Sequence, residues 1–347
     1  MVCSFASLTR RSLTQATVLA IAVMIGLAGV ATAQDATPLP YTPGNDLATL
    51  SGTIVADGSS TVGPMTEAVA EEFAIMLDEE GGGDVQSEIS VSGTGCGFER
   101  FCAGETDLQN ASRAISEEEA ALCTESGVEF YEFEIAYDGM AVVVNTSNDF
   151  VDCLTVEQLH QMWRPDEPAT NWNQIDSSFP DSEIRLYGPG TDSGTFDYFT
   201  NVVNGDEGVS TTNYFPSEDD NQLVQGVSGD ENALGYFGLA YYENNADSLK
   251  LVGVDGGNGC VLPSAETVGD GSYTPLSRPL FIYVNAESLD RTEVQEFVRF
   301  YLANASFLAG DVGYVASPAE TYLADQEKLE AAIAGTGAPD SAADAGA

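Results

Sequence analysis

Three short runs of Ser, Thr and Gly stand immediately before helix-like patterns, and together they could hold an anion. Asp57-Gly58-Ser59-Ser60-Thr61 precedes a run in which Met65, Val69, Phe73 and Met76 keep one face, with Pro64 in the first turn, where proline is tolerated. Ser92-Gly93-Thr94-Gly95 precedes a predicted short helix from Gly97 to Ala103. Gly188-Pro189-Gly190-Thr191-Asp192-Ser193-Gly194-Thr195 precedes a helical pattern from Phe196 to Val203. A helix start points unpaired N–H groups at whatever sits there, so each loop is a ready anion site. Asn110-Ala111-Ser112-Arg113 adds another hydroxyl and a guanidinium, whose planar fork of donors suits an oxyanion. Singly, each run reads as an N-cap or a glycine turn. Their recurrence, together with Arg113, favours one shared oxyanion site.

The elements that would carry these loops alternate between two periodicities. Ile54-Val55-Ala56, Met140 to Val144 and Leu280 to Val284 read as buried strands, while Val294, Phe297, Val298, Tyr301 and Leu302 follow a helical pattern. That alternation predicts α/β architecture. The length up to about Leu329 suits two lobes rather than one small core.

At the same loops the chain resembles a known family. DGSSTVGPMTEAVAEEF (57–73), SGTGCGFERFCAGETDLQNASRAIS (92–116), YDGMAVVVN (137–145) and YGPGTDSGTFDYF (187–199) are similar to the solute-binding proteins of phosphate ABC transporters. The resemblance runs from about Gly52 to Asp325 and implies a two-lobe type II periplasmic-binding-protein fold, α/β, with two hinge crossings and ligand in the interlobe cleft. Residues 51–137 plus 280–329 would form one lobe and 138–279 the other, with crossings at Asp138 to Asn145 and Pro279 to Asn285. The implied function is capture of inorganic phosphate by a monomer and delivery to ABC permease subunits in the membrane, with no cofactor and no metal. Ser60, Thr61, Ser92, Thr94, Ser193 and Thr195 would donate hydrogen bonds, Gly93 and Gly194 would allow close backbone approach, and Arg113 would supply the positive charge. One branch of the family has arginine shortly before the Ser-Gly-Thr loop and aspartate where Arg113 stands; here Tyr187-Gly188-Pro189-Gly190 precedes that loop. The acidic partner that would select phosphate is open among Asp138, Asp57 and Asp192, in that order.

The ends of the chain carry other signals. Arg10-Arg11, the apolar run Val18 to Val30 and Ala31-Thr32-Ala33 read as a secretory signal peptide over residues 1–33, which implies a periplasmic or extracellular protein. Residues 34–50 read as a flexible lead-in and 330–347 as a disordered tail. The formal charge is −44, with Lys250 and Lys328 the only lysines. A nucleic-acid partner needs a basic face and is excluded. The excess acidity reads as adaptation to high salt, where the Debye length at roughly 1 M is about 3 Å and the long-range field no longer repels an anion.

Beyond the signal stand Cys96, Cys102, Cys123, Cys153 and Cys260. In an exported chain disulfides outrank zinc. The family resemblance pairs Cys102 with Cys123 and Cys153 with Cys260; Cys96 is then either free or displaces one of those pairs. An enzyme reading is weak. A serine nucleophile in Asp192-Ser193-Gly194 needs a base, and the single histidine, His160, sits among the polar residues of a helical pattern from Val156 to Met162. The runner-up functions are binding of sulfate or molybdate, and a secreted phosphatase on the same scaffold.

Overall fold

The structure, a computed structural model, describes residues 39–191 and 193–340. The predicted signal peptide and Asp192 therefore lie outside the described residues. In chain order the strands are β1 (Ser51–Gly58), β2 (Asp84–Ile89), β3 (Leu108–Ala111), β4 (Phe130–Asn145), β5 (Cys153–Thr155), β6 (Arg185–Gly188), β7 (Phe215–Pro216), β8 (Ala233–Gly238), β9 (Leu249–Asp255), β10 (Cys260–Val261) and β11 (Ser277–Asn285). They join in the order β2-β1-β3-β11-β4-β8-β6-β7, with β9 also on β4 and with β5 and β10 on β9.

β4 organises this arrangement. Its first part, Phe130 to Gly139, lies antiparallel to β11, and its second, Met140 to Val144, lies antiparallel to β8. The run Met140 to Val144 is buried throughout, as expected of a strand covered on both faces. The buried side chains divide accordingly. One core gathers Met140 to Val144, Trp163, Trp172, Phe199 and Tyr236. Another gathers Met65, Phe73, Phe133, Ile282, Phe297 and Tyr301, with a smaller cluster of Phe98, Phe101 and Tyr283 beside it. The first core draws on residues 140–276 and also on Val315, whose backbone bridges to Tyr137.

Two expectations at the chain ends are corrected. From Leu39 the lead-in is docked on the helix Thr292–Asp311: Leu39 N donates to Ala303 O, Tyr41 Oη to Glu296, and Asn45 to Gln295 and Glu296. Composition suggested a loose segment because it does not record that Tyr41 finds an edge contact on Phe300. At the other end the helix Ala319–Ile333 runs past the predicted limit, and Asp340 is held by the Phe130 carbonyl, the Glu132 N–H and Lys328.

Cys102–Cys123 joins the helices Thr94–Cys102 and Glu117–Ser126, and Cys153–Cys260 ties β5 to β10 across β9. Only glycine fits on β9 beneath that second bridge, since a Cβ on Gly253 would lie 2.4 Å from Cys260 Sγ. Neither pair includes Cys96, and none of the described cysteines is free. Peptide mapping of the unreduced protein is expected to return Cys102 linked to Cys123 and Cys153 linked to Cys260. Closing a loop of 107 residues, against 21 for the other bridge, should contribute about 5 kcal/mol in the chain-entropy account, so Cys153→Ser should lower the melting temperature more than Cys102→Ser.

Candidate functional site

β1, β2 and β3 run parallel, so the loops after them emerge at one edge; β6 and β8 are parallel in the other half. Loops at the carboxyl ends of parallel strands are where α/β proteins place ligands. The loop after β1 is tightly built. Ser59 Oγ accepts from Thr61 N at 3.1 Å, Tyr314 Oη donates to Thr61 O at 2.6 Å, and Ser59 and Thr61 are buried. At Gly58, where φ is +133°, an added Cβ would strike the Asn110 carbonyl at 2.2 Å. The loop after β6 leads into the helix Gly194–Asn204, with Ser193 Oγ capping Thr195 N at 3.2 Å. That bond uses an oxygen lone pair and leaves the Ser193 hydroxyl hydrogen as a donor. These two loops touch. A Cβ on Gly194 would sit 2.3 Å from Thr61 Oγ1, so glycine is what allows the halves to approach.

Arg278, at the start of β11, stands where they meet. Its Nη2 donates to Thr61 Oγ1 at 2.8 Å, to Asp138 Oδ2 at 3.1 Å and to Gly194 O at 3.3 Å, and its Nε donates to Asp138 Oδ2 at 3.3 Å. The guanidinium lies over the Tyr198 ring, 3.9 Å from its centre. Its Nη1 takes no hydrogen-bond partner among the described residues. Asp138 is fully buried at the point where β4 passes from one half to the other. Its Oδ2 faces Arg278, while its Oδ1 has no partner among the described residues. Burial pushes the Asp138 carboxyl up from its ordinary range, and the Arg278 guanidinium opposes that shift. Two more carboxyls nearby, Asp197 and Asp220, are each pushed up to about 6, chiefly by burial, with Glu207 adding at the first and Asp219, Glu218 and Asp138 at the second.

The predicted residues divide into three groups. Thr61, Asp138, Ser193, Gly194 and Thr195 come together around Arg278, with Ser60 next to Thr61 and half-buried. Ser92, Gly93 and Thr94 line the first half, but their hydrogen bonds run inward. Ser92 Oγ donates to Asp57 Oδ2 at 2.8 Å, Gly93 N to Gly58 O at 2.8 Å, and Thr94 Oγ1 lies 3.2 Å from Ser112 Oγ. Arg113 is in neither group. It forks onto Glu119 with two bonds of 2.8 Å, with its side chain 48 % exposed.

That is a correction with a local cause. Ser116 and Glu119 form a capping box at the helix Glu117–Ser126, which fixes the Glu119 carboxylate within reach of Arg113. Arg113→Ala is accordingly expected to leave anion affinity within a few-fold and to cost about 1 kcal/mol of stability, the usual worth of a well-formed exposed pair; calorimetry and thermal melting separate the two effects. Asp57 is also unsuited to a ligand proton. Its oxygens already accept from Gly58 N, Ser92 N, Ser92 Oγ and Arg100, about all that a carboxylate can take.

Arg278 was missed. Leu276-Ser277-Arg278-Pro279 carries none of the Ser/Thr/Gly pattern of the other loops. The available signal was position: a rare cation next to the predicted crossing at Pro279.

An α/β chain in which two sets of loops converge on a cation and a buried carboxylate between two cores is a binding module for a small anion. A family model described as a PBP superfamily domain matches residues 43–305, and the chain belongs to that superfamily. Similar curated proteins include Protein SphX of a Synechocystis species, 50% identical over 275 residues, covering 78% of this chain and 80% of the relative. The phosphate-binding protein PstS of Staphylococcus saprophyticus is 41% identical over 281 residues, covering 80% of this chain and 85% of the relative. Among solved structures, that of a possible phosphate binding protein from Planctomyces limnophilus is similar at 44% identity and a TM-score of 0.78, covering 82% of this chain and 99% of the other.

Proposed function

We propose that this protein captures inorganic phosphate outside the cytoplasmic membrane and delivers it to an ABC permease. Its two halves would act as lobes, with β4 and β11 as the crossings and the anion held between the Thr61 and Gly194 loops. Hinge closure on a ligand is a standard movement for binding proteins. The observation that carries the proposal is the pairing of Arg278 with Asp138 at the junction. Arg278 Nη1 has no acceptor among the described residues and could take one phosphate oxygen, and Asp138 Oδ1 is a buried acceptor for the proton that phosphate retains. Hydroxyls of Ser60, Thr61, Ser193 and Thr195 would complete the shell. The curated relatives that carry a phosphate-binding name support the same ligand. No bond is made or broken. His160, the only histidine in the chain, holds Val203 O and Asn204 Oδ1 through Nδ1 and is not within that set of loops.

Titration calorimetry against phosphate, sulfate and molybdate tests the ligand, and a chromogenic phosphate ester tests for turnover. Heat with phosphate alone and no ester hydrolysis is expected. Equal heats with sulfate would favour the general-oxyanion reading, and hydrolysis the phosphatase.

The charge of −44 fits a protein working at high salt. Carboxylates that repel one another at low ionic strength are screened when the Debye length shrinks to about 3 Å near 1 M. The melting temperature is expected to rise steadily from low salt to molar sodium chloride. A flat or falling curve would leave the charge without a salt explanation.

A further inference from the structure

Tyr198 lies at the centre of the junction but belongs to no Ser/Thr/Gly loop. It is on the helix Gly194–Asn204 in the second half. Its hydroxyl is 2.6 Å from Pro275 O and 2.8 Å from Ser277 O, the two carbonyls that bracket the approach to β11. Its ring carries the Arg278 guanidinium at 3.9 Å. Burial pushes the hydroxyl well above the ordinary tyrosine range, so it stays a neutral donor.

The setting of Arg278 differs from that of four other arginines, and from that of Arg113, which has Glu119 alone but is half exposed. Arg100 faces Asp57 and Glu105, Arg185 faces Glu183 and Asp230, Arg291 faces Asp107 and Glu293, and Arg299 faces Glu296 and Glu330. Two carboxylates neutralise each of those cations more than fully. Arg278 bonds directly to one, Asp138, with Asp197 acting on it only from farther off, and its other direct partners are neutral: a hydroxyl, a carbonyl and an aromatic face. A ring face orients a guanidinium through its quadrupole without cancelling the charge that an anion would need. In so acidic a chain, a second carboxylate at that place would spoil the site.

We infer that Tyr198 is a positioning residue, which holds Arg278 flat and still charged for the anion. The inference rests on the phosphate reading above and adds the group that aims its cation. The hydroxyl would be secondary, because the ring alone supplies the face.

The experiment is a double-mutant cycle on the full mature protein, read by phosphate titration and thermal melting. Tyr198→Leu keeps bulk and removes the face; it is expected to weaken phosphate binding roughly ten-fold, in the range of a desolvated cation–ring contact. Tyr198→Phe keeps the face and should bind within about two-fold of wild type, even if it melts lower for want of the hydroxyl bonds. In an Arg278→Ala background, Tyr198→Leu should cause no further loss of affinity, since nothing is left to aim. A Phe variant as weak as the Leu variant would overturn the inference and assign the effect to the strap on Pro275 and Ser277. So would a Leu penalty that persists without Arg278. A wild type that binds phosphate while Tyr198→Leu binds it equally would overturn this inference alone. A folded wild type that takes no phosphate would overturn the proposed function first.

Discussion

Arg278→Ala is expected to cost the largest share of anion affinity of any single change. Truncating one member of a desolvated, hydrogen-bonded charge contact costs about 2–5 kcal/mol. That is a loss of roughly thirty-fold to several thousand-fold in affinity. The anion loses its cation, and Asp138 loses the charge that offsets its burial. Without Arg278 the Asp138 carboxyl should shift further up and take a proton more readily, so the variant should tolerate acid better than base. The sign follows from burial, which penalises only the charged form. Arg278→Lys should recover part of the binding, since an ammonium keeps the charge but cannot reach Asp138, Thr61 and Gly194 as a planar fork. Calorimetry gives the affinity, and circular dichroism confirms that the variant is folded. A folded Arg278→Ala that binds as wild type would remove Arg278 from the site.

How far the sequence revealed this site depends on how local each signal was. The helix near Gly63, those expected from Gly97 and Phe196, which begin earlier at Thr94 and Gly194, and the buried run Met140 to Val144 were legible, because caps and periodicity are written within a few residues. Asp138 was legible as a carboxylate at the entry to a crossing strand. Arg278 was not, because what places it at the junction is a set of contacts 84, 140 and 217 residues away along the chain. Its own neighbourhood reads as an unremarkable turn before a strand. Arg113 drew attention for the opposite reason. It ends a run of hydroxyls and amides, and its proximity to Ser92 and Ser112 in sequence stood in for proximity in space. Yet Ser116 and Glu119, at capping-box spacing, were already present to claim it. The docked lead-in shows the same limit. Pro and Thr in residues 34–50 suggested looseness, while the decisive partners, Gln295 and Glu296, lie on a helix about 250 residues later.

Asp138→Asn is expected to change which anion is held more than it changes whether the protein folds. Asp138 Oδ1 is a buried acceptor without a partner among the described residues, and Oδ2 is occupied by Arg278. An ionised carboxylate can only accept hydrogen bonds. Phosphate near neutral pH still carries a proton to donate; sulfate carries none and would face a bare negative charge. Two tetrahedral anions of similar size cannot be told apart by shape at this level, but an unmatched buried polar group costs several kcal/mol, on the order of a thousand-fold. Asparagine removes the charge and brings an NH2 that donates to any oxyanion. Sulfate binding should therefore appear in Asp138→Asn, while phosphate binding falls, and the ratio of the two should collapse towards unity. The measurement belongs near pH 8, roughly two units above the values of about 6 for Asp197 and Asp220, where both of those carboxyls stay ionised and only residue 138 differs between the proteins. Lowering the pH should push the wild type in the same direction as the mutation. A protonated Asp138 is itself a donor, and burial, which raises its carboxyl, favours that form as the pH falls. Asp57→Asn is the control. With its four acceptor positions already filled by Gly58, Ser92 and Arg100, Asp57 should affect stability and leave selectivity alone. If the Asp57 variant instead relaxes selectivity and Asp138→Asn does not, phosphate remains the ligand, and its proton is read from the loop after β1 rather than from the crossing strand.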